Sequence, residues 1–248
     1  MIRPHERPPR IWPVVIATIV GLAILVSLGV WQLKRLAWKE ALLAQLAANA
    51  AAPAVDLSTA YNMSRAGSNV EFVRVSFTGT YNNDAWMKML SSYDGGQGWT
   101  IITPAASEDG WAVIVDRGRL PGQMLDHFKP PVGPQLIEGV IRTHPYGQGY
   151  FDPANDPANR MWYWWDVKAM QAASGLPASL RPFPFEVQLV PGNTGVEFPK
   201  PQEPKADLAN NHLGYAITWF GLALTLLGVS GFYILDLRRR RRNWEPCR

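Results

Sequence analysis

Two long runs of apolar residues, one near each end of the chain, dominate its hydrophobic pattern. Residues 11–33 contain no charged side chain, and neither do residues 208–235. At 1.5 Å per residue, a helix over 11–33 is about 34 Å long, enough to cross the hydrocarbon core of a bilayer. The pattern predicts transmembrane helices over 11–33 and 212–235. Small residues at Gly221 and Gly228 predict close packing of the second span on another helix.

A cleaved signal peptide is the alternative interpretation of the first run. The apolar core of such a peptide usually spans only about 7–15 residues. The nearest small-x-small cleavage site, Ala48-Asn49-Ala50, lies well beyond the charged residues Lys34 and Arg35. The sequence therefore favours an uncleaved span.

The more polar stretch between the two runs, residues 34–211, predicts one β-rich domain. Apolar and polar residues alternate over 72–78 and 185–190, and short apolar stretches cover 111–115 and 136–142. Such stretches, separated by clusters of Gly, Pro, Asn and Asp, are typical of strands. The predicted fold is an integral membrane α+β protein in which two transmembrane helices flank one extracytoplasmic β-rich domain with a short helix.

Helical signals in this domain are fewer. Residues 36–50 are rich in Ala and Leu and lack Gly and Pro, so the first helix is expected to continue beyond the membrane until Pro53 ends it. One short helix is predicted over 166–173, with Asp166 as its N-cap. Residues 191–207 contain four prolines and predict an extended, Pro-rich linker into the second span.

Charge is distributed unevenly along the chain. The tails, residues 1–10 and 236–248, carry net charges of +2 and +4, whereas residues 34–211 carry −2. Because Lys and Arg accumulate on the cytoplasmic side of membrane proteins, both tails are expected in the cytoplasm and the central domain in the periplasm. Prolines at positions 4, 8 and 9 disfavour an amphipathic transit helix, which favours a bacterial inner membrane. The acidic central domain excludes nucleic acid as the main partner.

Signatures of catalysis and of small-metal binding are missing from the sequence. Cys247 is the single cysteine, so the chain has neither an internal disulfide nor a CxxC, zinc or thiol copper site. It also lacks GxSxG, HExxH and phosphate-binding glycine motifs, which argues against an enzyme. His127 and His144 lie in Pro-flanked loops and are predicted to be solvated surface residues.

His212, at the start of the second span, is the strongest candidate for chemistry. An ionisable residue at the mouth of a membrane helix is a functional candidate by default. Tyr215 and Trp219 follow at i+3 and i+7, on the same side of a helix. An imidazole beside flat aromatic rings is a candidate ligand for haem iron. A histidine that caps the helix together with Asn210 and Asn211 is the alternative.

An unusually aromatic segment, residues 162–165, follows an Asn-Asp-Pro turn at residues 155–157. Four successive aromatic residues cannot all face one core. Some are therefore expected to contact a partner, a ligand or the membrane surface. Aromatic packing at a junction between the domain and the bilayer is the alternative.

Five segments carry more distinctive motifs. They are residues 28–39 (LGVWQLKRLAWK), 98–104 (GWTIITP), 115–121 (VDRGRLP), 155–166 (NDPANRMWYWWD) and 210–220 (NNHLGYAITWF). Together, over nearly the whole chain, they resemble the surfeit locus protein family, the Surf-one assembly factors of cytochrome c oxidase. The chain has Asp116 and Arg119 where that family usually has Asn and Trp.

The resemblance implies a non-enzymatic assembly factor for the haem–copper oxidase that binds haem a and aids its insertion into oxidase subunit I. It implies His212 as the iron ligand, and neither zinc nor copper is expected. The expected partners are subunit I, haem A synthase and the lipid bilayer. The alternative is a cofactor-free membrane scaffold or accessory subunit that stabilises subunit I during assembly.

Two cations at the end of the first span, Lys34 and Arg35, oppose the positive-inside bias. In a two-span protein, residues 31–35 lie at the same depth as residues 212–215. These cations are therefore candidate partners for the propionates of a haem held by His212, and an arginine fork suits a carboxylate well. Anchoring to lipid phosphates is the alternative.

Overall fold

The structure is a computed structural model that describes residues 10–127, 130–144, 147–192, 198–204 and 211–242. The chain divides into two compact units. The helical unit comprises residues up to 43 and from 207 onwards, and the sheet unit comprises residues 44–206.

The described residues contain four α-helices: α1 Trp12–Ala51, α2 Leu57–Arg65, α3 Val167–Ala172 and α4 His212–Arg242. By length and composition, α1 and α4 could each cross a membrane. The prediction that the first helix continues beyond residue 33 is confirmed, since α1 ends two residues before Pro53. The second helix also exceeds its predicted end at residue 235 and includes the arginines at 238–242.

In the helical unit, α1 and α4 pack antiparallel through positions that recur every seven residues. The buried residues of α4 are Ala216, Ala223, Ser230 and Leu237. Buried residues of α1 at the same spacing include Thr18, Gln32 and Lys39. A seven-residue repeat of buried positions is typical of helix pairs with a left-handed supercoil.

The closest approach of the two helices involves glycines of α1. A Cβ atom added at Gly29 would lie 2.7 Å from the ring of Phe220, and one added at Gly21 would lie 2.8 Å from Leu226. By contrast, a Cβ added at Gly221 or Gly228 would meet nothing within 4 Å. Gly221 and Gly228 therefore do not contact α1, and within this chain they do not form the packing surface that the sequence predicted.

The sheet unit is built from seven strands in the described residues: β1 Arg74–Tyr81, β2 Met87–Tyr93, β3 Gly96–Ser107, β4 Trp111–Pro121, β5 Pro134–Arg142, β6 Met161–Trp162 and β7 Arg181–Leu189. The strand order is β1-β5-β7-β4-β3-β2-β6, and β1 also pairs with β3. This extra pairing closes five strands into a barrel, while β2 and β6 extend from one half of β3. The pairs β4–β7 and β2–β6 are parallel.

Two hydrophobic clusters occupy opposite faces of the curved sheet. The larger one fills the barrel with residues such as Phe77, Val113 and Val187, and Leu57 and Ala60 of α2 pack against it. The smaller one lies on the outer face, where α3 covers it; it contains Met87, Ile102, Ile114, Trp162 and Met170. Polar side chains that alternate with the barrel-facing residues of β4 and β7 therefore lie on the outer face.

The four strands and the short helix predicted from the sequence are confirmed as elements, with bounds that shift by a few residues. Helix α3 begins after Asp166, whose side chain accepts a hydrogen bond from the Ala169 amide at 2.9 Å. Strands β2, β3 and β6 and helix α2 were not predicted from the sequence. A two-residue turn at Asp94 and Gly95, both with positive φ, joins β2 to β3. Such a turn is a hairpin signal readable from the sequence.

The described part of the predicted linker runs beside β4. Arg119 and Lys200 exchange backbone hydrogen bonds of 2.9 and 2.7 Å. Gly118 has a φ of 109°, and a Cβ there would lie 2.3 Å from the Lys200 carbonyl oxygen. A side chain at residue 118 would therefore displace this segment. The remaining linker residues, 193–197 and 205–207, lie outside the described residues, as does Cys247.

Candidate functional site

The ring of His212, the first residue of α4, is held by a side chain of α1. Its Nδ1 atom lies 2.8 Å from Oε1 of Gln32. A carbonyl oxygen can only accept a hydrogen bond, so Nδ1 carries the hydrogen in this geometry. Nε2 then keeps its lone pair, the form of imidazole that binds a metal.

Gln32 is the site residue that the sequence analysis missed. It is 9% exposed and lies on the buried stripe of α1. One signal was available, because Gln32 is the single amide side chain in the uncharged run of residues 11–33. Its register against His212 was not readable, since the two residues are separated by 180 positions in the chain.

The aromatic residues predicted beside His212 lie on the same helix but differ in exposure. Trp219 is two turns along α4, almost in line with His212, and is partly buried. Tyr215 is 56% exposed, and Trp31, which adjoins Gln32 on α1, is 55% exposed. Two large rings that are exposed among the described residues, Tyr215 and Trp31, thus lie close along their helices to His212 and Gln32.

The two predicted cations lie at different angles around α1. At about 100° per residue, Lys34 is about 200° from Gln32, whereas Arg35 is about 60° away on the other side. Both are exposed. The Arg35 guanidinium lies 4.4 Å from the centre of the Trp38 ring. Lys39, only about 20° from Gln32, is the α1 cation on the buried stripe.

The residues at this end of the helical unit fit a haem group. One imidazole nitrogen with a free lone pair is a sufficient protein ligand for haem iron, and exposed aromatic rings offer flat apolar surface for a porphyrin. An oxygen acceptor on the opposite ring nitrogen is the usual support for a histidine ligand. No cluster of three or more His, Cys, Asp or Glu suited to a bare metal ion occurs among the described residues.

A second histidine site lies on the outer face of the barrel, and here the sequence prediction is wrong. His144 was predicted to be solvated, but its side chain is only 19% exposed. Its Nε2 atom contacts Oε2 of Glu186, whose side chain is 2% exposed. The ring also stacks on Trp165 with centroids 4.6 Å apart. The corresponding prediction for His127 concerns a side chain outside the described set.

Charged neighbours surround this contact. Arg142 bonds to Glu71 at 2.8 Å and to the Gln188 side chain at 2.6 Å. Burial raises the pKa of Glu186 well above its usual range, and burial lowers the pKa of His144 to about 4. Each of these shifts favours the neutral form of its group.

Asp116 extends the same cluster. Burial and the nearby Glu186 carboxyl raise the pKa of Asp116 to about 7. Its Oδ1 accepts a hydrogen bond from the Gly118 amide at 2.7 Å, which favours the ionised form but does not offset the burial. The ionisable members of this cluster come from separate segments of the chain, so no short sequence motif could have predicted it: Glu71, Asp116, Arg142, His144 and Glu186.

The aromatic segment 162–165 is divided between core and surface, as its composition predicted. Trp162 is fully buried, whereas Tyr163 is 39% exposed. The side-chain oxygen of Asn155 accepts hydrogen bonds from the backbone amides of Tyr163 and Trp164, at 2.8 and 3.3 Å. The preceding Asn-Asp-Pro turn therefore fixes the path of the aromatic segment.

Comparison with known proteins identifies the family of this chain. The profile of the SURF1 family matches residues 19–224. A "SURF1-like protein" of Rickettsia felis is 28% identical over 224 residues, covering 88% of this chain and 95% of that protein. One of Rickettsia bellii is 29% identical, covering 88% and 89%. "Surfeit locus protein 1" of Xenopus tropicalis is 25% identical, covering 79% of this chain and 67% of that protein. The chain belongs to the SURF1 family.

Proposed function

We propose that this protein assists the assembly of haem–copper cytochrome c oxidase and that it does so by holding haem a at His212 for insertion into oxidase subunit I. Membership of the SURF1 family, whose members are oxidase assembly factors, supports the assembly role. The observation that carries the haem part is the contact of His212 Nδ1 with Gln32. This contact leaves Nε2 available as a ligand beside exposed aromatic rings.

The protein is proposed to span a bacterial inner membrane twice. Helices α1 and α4 are long and apolar enough to do so, and the arginines at 238–242 end α4. By the positive-inside rule both tails are then cytoplasmic and the sheet unit is periplasmic. Reporter fusions after residues 130 and 248 should give signals from opposite compartments. The same compartment for both would refute this topology.

The proposed partners are subunit I, haem A synthase and the lipid bilayer. Around His212, the rings of Tyr215 and Trp219 would contact the porphyrin, and Lys34 and Arg35 would pair with its propionates. The haem would supply the oxidase with its redox-active iron. This chain would hold the group and perform no reaction on it.

A cofactor-free scaffold is the second candidate function, and one observation favours it. The face of α4 that bears Gly221 and Gly228 is exposed, with no neighbour within 4 Å of a Cβ at either position. Small residues on a free helix face allow close approach of another membrane helix. Such a helix could belong to subunit I whether or not haem is bound.

The experiment that separates the two functions is purification in detergent from cells that make haem A, followed by a pyridine haemochrome spectrum. Haem a in about a 1:1 ratio to the protein supports the haem function. A colourless protein that still copurifies with oxidase supports the scaffold and contradicts haem binding. A colourless protein that does not associate with oxidase contradicts both.

A further inference from the structure

The contact between Gln32 and His212 joins the two long helices through polar atoms. Gln32 is 9% exposed, and its Oε1 lies 2.8 Å from the imidazole Nδ1. The presence of an amide at this position calls for a reason tied to His212.

We propose that Gln32 is a positioning residue for haem: it fixes His212 in the tautomer with hydrogen on Nδ1 and directs the Nε2 lone pair away from α1. This inference rests on the proposed haem function and adds to it a residue of the other helix. Histidine ligands commonly donate their second ring N–H to an oxygen acceptor, which sets the tautomer and the orientation of the ring.

The packing of α1 on α4 beside Gln32 restricts the position of its side-chain amide. Gly29 lies one turn earlier on α1 and contacts Phe220 closely enough that a Cβ would lie 2.7 Å from the ring. This contact sets the register of α1 against α4 near residue 32. With the helices in this register the Oε1 atom of Gln32 reaches Nδ1 of His212, and the imidazole is oriented before any ligand arrives.

A purely structural bond between the helices is the competing explanation. Polar side chains often link membrane helices, where each bond contributes modestly to association. The two explanations differ in what Gln32 must supply. A structural bond requires only polar contact, whereas a positioning role requires an acceptor opposite Nδ1 and predicts one histidine tautomer.

The test uses the full chain in detergent micelles, labelled with 15N-histidine and free of haem. The chain has four histidines, and the His212 signals are identified by their loss in His212→Ala. We expect the wild type to show hydrogen on Nδ1 of His212, and Gln32→Leu to lose this preference. Gln32→Glu retains an acceptor and should keep the tautomer. Thr18→Val, a change on the same buried stripe, is the matched control.

The same variants are then titrated with haem a extracted from oxidase. Loss of such a supporting bond typically weakens metal binding by 10–100-fold. We expect a loss of about this size for Gln32→Leu, little change for Gln32→Glu, and none for Thr18→Val. Melting temperatures of the haem-free variants show whether Gln32→Leu has merely separated the helices.

The outcomes distinguish this inference from the proposed function. If His212→Ala abolishes haem binding but Gln32→Leu binds normally, the positioning role is wrong and the haem function stands. If His212→Ala binds haem normally, the haem function fails, and the positioning role fails with it whatever the tautomer. Hydrogen on Nε2 in the wild type would overturn the positioning role directly. So would equal weakening by Gln32→Leu and Thr18→Val.

Discussion

The helical unit and the sheet unit each hold a histidine against an oxygen acceptor, but through different ring nitrogens. In the helical unit, His212 uses Nδ1 to contact the neutral amide of Gln32. In the sheet unit, His144 uses Nε2 to contact the buried carboxyl of Glu186, and its ring is covered by Trp165. The first arrangement leaves a ligand nitrogen near exposed surface, whereas the second uses the histidine to satisfy a buried acid. A histidine's chemical role thus depends on which nitrogen its neighbour occupies.

The largest effect is expected from disturbing the helix pair itself. Gly29→Leu places a side chain where even a Cβ would lie 2.7 Å from Phe220. Overpacking of this kind costs about 1–3 kcal/mol, and the shift should separate Gln32 from His212. We expect at least a tenfold fall in haem a retention, measured by the haemochrome spectrum. Gly221→Leu, at a position with no neighbour within 4 Å, should retain haem; equal loss in both would show that the α1–α4 contact is not involved.

Removing the second histidine should affect stability and leave haem binding unchanged. His144→Ala deprives the buried Glu186 carboxyl of its partner, which typically costs about 1–3 kcal/mol. We expect a lower melting temperature by circular dichroism and an unchanged haem ratio. Adding Glu186→Leu removes the unpaired acid and should recover part of the lost stability. A fall in haem content at unchanged stability would contradict this and would mean that His144 takes part in haem binding.

The carboxyl at Asp116 should make stability depend on pH. Its folded-state pKa of about 7 exceeds the ordinary aspartate value of 3.8, so the folded state binds the proton more tightly and loses stability as pH rises between these values. Asp116→Asn removes this penalty and keeps an oxygen for the Gly118 amide. Because Asp116 is partly exposed, we expect a gain of about 1–3 kcal/mol near pH 8 and almost none near pH 4. Denaturant unfolding at both pH values checks this. A variant that is less stable at both would show that Asp116 is ionised in the folded protein.

The smallest effect is expected from the exposed cations of α1. Exposed ion pairs contribute about 0.5 kcal/mol each, so Lys34→Gln combined with Arg35→Gln should reduce haem a retention by about fivefold. Lys168→Gln with Lys200→Gln, two exposed positions of the sheet unit, is the charge-matched control. Identical retention in the two double variants would identify Lys34 and Arg35 as lipid anchors.

The two units also differ in how much of them could be predicted from sequence. The long helices follow from uninterrupted apolar runs, and α3 follows from its Asp166 cap, because both signals are local. The missed strands β2 and β3 lack strict alternation: β2 is only partly buried along most of its length, and β3 is buried at successive positions where it pairs on both sides. Closure of the barrel through the β1–β3 pair joins residues that are far apart in the chain, so a local sequence pattern does not predict it.

The candidate sites show the same limit. His212 was identified because an ionisable residue at the end of an apolar run is locally conspicuous. Its partner Gln32 was not, because the contact depends on helix register. His144 was misjudged for the same reason: a loop position flanked by proline suggests solvent, whereas Glu186, 42 residues further along the chain, lies against the ring in the folded protein.

The most direct test of the central claim is the ratio of haem a to protein in parallel purifications of the wild type, His212→Ala and His144→Ala from cells that make haem A. Equal membrane insertion of the three proteins is verified first. The wild type and His144→Ala should carry equal haem a, since the His144 side chain is mostly buried and its ring is stacked on Trp165, and His212→Ala should carry none. Normal haem content in His212→Ala would contradict the assignment of His212 as the haem ligand.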